Sequence, residues 1–134
     1  MKSKPLTFFA LACGLLMVSV TMFAHHGVAA YDMTKLTTVK GTVTDFQFIN
    51  PHVEIYFNVV VEGDKGKVEQ WIAEANSLNV LVRAGWNKNV VKPGDQITAI
   101  GYRAKNGSTT MRLHKIVLPN GRELTLERGS DNSD

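Results

Sequence analysis

From His52 to Val61 the chain alternates, with Val53, Ile55, Phe57, Val59 and Val61 on one parity and Glu54, Tyr56 and Asn58 on the other. A period of two lays one face of a strand against a core and turns the other to water, a pattern no helix carries. The stretch before it follows the same logic with one interruption. Val39, Gly41 and Val43 share a parity, and Phe46 and Phe48 take the opposite one. A switch at Thr44-Asp45 is the mark of a β-bulge, which bends a long strand while keeping its apolar side chains inward. This strand is expected from Leu36 to Asn50-Pro51, where proline removes a ladder donor.

After the turn Glu62-Gly63-Asp64-Lys65-Gly66, Lys67 to Glu74 reads as a third strand and hairpin partner of the second. Leu78, Leu81 and Val82 at spacings of three and four predict a short helix to about Ala84. Asn76 or Ser77 would be its cap and Gly85 its left-handed stop. Lys92-Pro93-Gly94-Asp95 then leads to a strand over Gln96 to Tyr102, and Asn106-Gly107 to another over Thr110 to Leu118. A short strand around Leu124 and Leu126 precedes a polar tail, Arg128 to Asp134, expected to fray. Three strands, a helix, two strands and a short last one match a small oligonucleotide/oligosaccharide-binding (OB-like) barrel of five or six strands. An immunoglobulin-like sandwich uses more strands and has no helix at that point.

The N-terminus has a different character. Met1-Lys2-Ser3-Lys4 is a short positive region, followed by an apolar run from Pro5 to Ala24. Small residues at Ala24, Ala29 and Ala30 suit a signal peptidase, so residues 1–24 read as a secretory signal and 25–134 as one exported domain, periplasmic or secreted, with no membrane anchor after cleavage. A cut after Ala24 places Met22 at the −3 position; a cut after Ala30 places Val28 there and starts the chain at Tyr31. The single cysteine, Cys13, lies inside the apolar run, so the mature domain forms no disulfide and offers no thiolate. Cleavage also removes Lys2 and Lys4 from the 15 basic residues, leaving 13 against 12 acidic ones. That near-neutral balance gives no sign of a nucleic-acid partner.

Chemistry concentrates on four histidines: His25, His26, His52 and His114. If the chain begins at His25, its free amine and ring Nδ1 form a chelating pair. One more imidazole, from His52 or His114, completes a three-nitrogen set suited to Cu(II), and His26 is an alternative donor. Each histidine also has an ordinary role: solvated tail for His25 and His26, turn residue for His52, and a strand residue beside Tyr102 for His114. Met33 and Met111 are soft donors without a cluster, more in keeping with packing. Glu54, Glu69 and Glu74 lie on or near strands with no evident acid/base partner, and no nucleophile elbow or phosphate loop is present, so catalysis is not expected. A second reading is a non-catalytic binding module that grips a sugar, a peptide or an envelope protein through Trp86, Tyr56, Arg83 and Arg103.

Ala24-His25-His26-Gly27, Lys40-Gly41-Thr42-Val43, Asn50-Pro51-His52-Val53, Arg83-Ala84-Gly85-Trp86, Lys92-Pro93-Gly94-Asp95 and Gly101-Tyr102-Arg103-Ala104-Lys105-Asn106-Gly107 together resemble a family of small secreted bacterial proteins of unassigned function. The resemblance spans essentially the whole mature domain. It implies a mature chain beginning His-His, hence cleavage after Ala24, and a joint role for His25, His26 and His52. It implies no activity.

Overall fold

A computed structural model describes residues 27–126. The expected signal, His25, His26 and the expected frayed tail lie outside the described residues. After a 3-10 turn at Val28–Ala30 come β1 (Tyr31–Gln47), β2 (Glu54–Val60), β3 (Val68–Glu74), helix α1 (Leu78–Arg83), β4 (Gln96–Ala104), β5 (Thr110–Val117) and β6 (Glu123–Thr125). The strands lie in the order β3-β2-β1-β4-β5-β6, and a further β3–β5 pairing closes the first five into a ring. That closing pair is parallel, whereas the others are antiparallel. The mainly β, OB-like class expected from the sequence is the class observed, although the ring is not evenly barrel-shaped.

The bend in β1 falls where the parity switches. Its register against β2 shifts between Val43 and Asp45, and the Asp45 carboxylate accepts a hydrogen bond from Phe46 N at 2.8 Å. Strong coiling brings backbones close, and Gly41 shows why: a Cβ there would meet Asn58 O at 2.5 Å and Phe57 Cδ2 at 2.7 Å. At Gly101, where the β4–β5 register shifts, a Cβ would run into the Arg112 carbonyl. β1 starts at Tyr31 rather than Leu36, because its pairing with β4 is irregular between those residues and leaves no alternation to read.

Val43, Ile55, Phe57, Ala73, Ala99, Met111, Leu113 and Ile116 fill the interior. Helix α1 adds Leu81 and stops as expected: Gly85 has φ +91° and Trp86 N donates to the Leu81 carbonyl at 2.9 Å. The cap falls on Ser77, one of the two expected residues, but its side chain does not do the capping. Asn50, from the β1–β2 connection, accepts from Leu78 N at 3.1 Å. Trp86, expected on a partner-binding surface, is instead 2% exposed, and its Nε1 donates to the Thr125 carbonyl at 2.8 Å. A ring so enclosed ties β6 to the core and presents no face to a partner.

Candidate functional site

The connection between β1 and β2 is held at both ends. Asn50 is fixed by Leu78 N; beyond Pro51 and His52, Val53 N donates to the Asn76 carbonyl at 3.2 Å while Ala75 N donates to the Val53 carbonyl at 2.8 Å. His52 therefore projects from a backbone pinned to the end of β3. Its side chain is 48% exposed, and its Nδ1 lies 3.3 Å from Glu74 Oε1.

Glu74 is the hub of this end of the sheet. Its Oε2 accepts a hydrogen bond from the Tyr31 hydroxyl at 3.1 Å, and Arg112 Nη1 stands 3.7 Å from its Oε1. Arg112 also donates through Nη2 to Asn76 Oδ1 at 2.6 Å, and Asn76 Nδ2 reaches the Leu126 carbonyl at 3.5 Å. The register explains the assembly. Glu54 faces Glu74 across β2–β3, Glu74 faces Arg112 across the parallel β3–β5 pair, and Arg112 faces Tyr102 across β5–β4. Two like charges directly opposite each other repel. Here Arg112 and the Tyr31 hydroxyl offset the charge on Glu74, and the Tyr56 hydroxyl donates to Glu54. Three elements distant in sequence thus converge on Glu74.

Tyr31 is 5% exposed yet stands apart from the interior cluster. Burial, followed by the Glu74 charge and hydrogen bond, pushes its hydroxyl up to about 12. Tyr56 is also raised, first by its hydrogen bond to Glu54. Both shifts have one physical basis: a phenolate beside a carboxylate is disfavoured.

His114 lines a cleft of about 340 Å³ with Met33 and Tyr102, and Asn76 and Arg112 of the Glu74 group border it too. It is exposed and meets the Tyr102 ring edge-on, with centroids 6.1 Å apart. Met111 is fully buried in the core. Among the described residues, no group of three His, Cys, Asp or Glu is arranged to hold a metal ion. Of the other expected contact residues, Tyr56 is half-buried on β2, Arg83 is exposed in the last turn of α1, and Arg103 is engaged locally. The Arg103 guanidinium lies 5.1 Å over the Trp71 ring and donates to the Gly107 carbonyl at 3.1 Å.

Residues 12–112 match the model of a family of unknown function, DUF6152. The chain belongs to this family. No curated protein matches it. The span matched to DUF6152 includes His25, His26, His52, Glu74 and Arg112, and it ends before His114. Among the described residues no helix is long and apolar enough to cross a membrane.

Sequence reasoning missed Tyr31, Glu74, Asn76 and Arg112 as a group. The outward parity of Glu54, Tyr56 and Glu74 was available, but the parallel pairing that delivers Arg112 has no local signal.

Proposed function

We propose that this DUF6152 protein is exported and binds a metal ion, copper first, through the N-terminal amine and imidazole of His25 together with the imidazole of His52, with His26 as an alternative donor. The observation that carries this reading is the carboxylate shared by Tyr31 and His52. The Tyr31 hydroxyl and the His52 ring both contact Glu74, so the start of β1 is moored on the residue that His52 touches. His25 precedes Tyr31 by six positions, a segment that spans at most about 22 Å when fully extended and less here, because Val28–Ala30 form a 3-10 turn. His52 is half-exposed on a fixed backbone, with the Glu74 carboxylate beside its ring. His114, in the cleft that adjoins Asn76 and Arg112, is a reserve donor to the same ion. Export is supported by the positive and apolar order of residues 1–24. The second reading, a binding module for a sugar, a peptide or an envelope protein, loses Trp86 to the core and rests on Tyr56, Arg83 and Arg103.

The test is titration of Cu(II) into protein beginning at His25, followed by electron paramagnetic resonance and calorimetry. One Cu(II) per chain with nitrogen coordination is expected, with a large loss of affinity in His52→Ala and when one residue is added before His25. Unchanged affinity in the extended chain contradicts chelation by the N-terminal amine.

A further inference from the structure

Resting on the proposed metal site, we infer that Glu74 is its positioning residue: it holds the His52 ring with Nδ1 protonated and Nε2 free to bind. The inference starts from which nitrogen faces the carboxylate. His52 Nδ1 lies 3.3 Å from Glu74 Oε1. At that distance an unprotonated Nδ1 sets a lone pair beside a charged oxygen, whereas an Nδ1–H makes the same contact attractive. In the neutral ring only one nitrogen carries the proton, so Nε2 keeps the lone pair. A carboxylate behind the ring is also the common arrangement for metal-binding histidines, where it fixes the tautomer and raises ligand basicity.

Glu74 is itself held in place. Oε2 is occupied by the Tyr31 hydroxyl at 3.1 Å, Arg112 Nη1 approaches Oε1 to 3.7 Å, and Glu74 is the last residue of β3, paired with Glu54 on one side and Arg112 on the other. The carboxylate can swing little without losing these contacts. One side chain thereby links the aim of His52 to the anchorage of the strand that follows His25 and His26.

The first readout needs neither a metal nor a variant. Ring nitrogen shifts of His52, measured by long-range proton–nitrogen NMR on the neutral imidazole, are expected to show Nδ1–H; an Nε2–H ring in the wild-type protein overturns the inference. In Glu74→Ala the ring should pass to a mixture of tautomers, and Cu(II) affinity of the chain beginning at His25 should fall by about 10- to 100-fold. If Glu74→Ala leaves the ring as Nδ1–H, the local fold sets the tautomer and the inference fails. If the tautomers behave as expected but the wild-type chain binds no Cu(II), the metal reading fails while the role of Glu74 in orienting the ring stands.

Discussion

Tyr31 and His52 share one carboxylate: the tyrosine hydroxyl donates to Glu74 Oε2 at 3.1 Å, and the histidine Nδ1 lies 3.3 Å from Oε1. The first residue of β1 and the turn that ends in β2 are thereby tied to the end of β3. A hydrogen bond to a charged, part-buried acceptor contributes more than a neutral exposed one. Tyr31→Phe should therefore cost about 1–3 kcal/mol. Urea unfolding should show a lower midpoint with an unchanged slope.

The same contact sets a pH dependence. Tyr31 titrates at about 12 in the folded chain against 10.0 ordinarily. Its folded value is raised, so its contribution to stability is full below pH 10 and is lost as pH rises through 12. Tyrosinate absorbance should show late ionisation of Tyr31, with Tyr56 raised as well, and the step near 12 should vanish in Tyr31→Phe.

Trp86 combines full burial with a 2.8 Å bond from Nε1 to the Thr125 carbonyl. Trp86→Ala removes the ring and leaves a cavity, at a cost of about 3–5 kcal/mol. A large drop in thermal midpoint is expected; a variant as stable as the parent, with only a surface property changed, would show that the ring is not part of the core.

Gly41 lies where β1 crosses β2 with no room for a side chain. Gly41→Ala should cost about 1–3 kcal/mol through overpacking, and amide exchange should quicken in β1 and β2 together. Gly63, with nothing within 4 Å of an added Cβ but φ +82°, should lose less, because strain there is confined to one exposed turn.

The fold was largely legible because its signals are local. The alternation from Val53 to Val61 marks β2, the parity switch at Thr44-Asp45 marks the bulge, and Leu78, Leu81 and Gly85 mark the helix and its stop. The site was less legible because its contacts are not local. Glu74 gains Arg112 only once β3 and β5 pair in parallel, and Tyr31 only after an irregular stretch of β1 that alternation cannot report. Tryptophan reads equally well as core or as contact surface, and only its burial and its bond to the Thr125 carbonyl identify Trp86 as core. Asn50 could not be read as the helix cap, since it precedes Leu78 by a whole hairpin.

The central claim is tested most directly by one native mass spectrum of the protein recovered from its host's envelope and exposed to Cu(II). A chain beginning at His25 and carrying one copper ion is expected. A chain beginning at Tyr31, or one beginning at His25 that retains no metal, would contradict the claim.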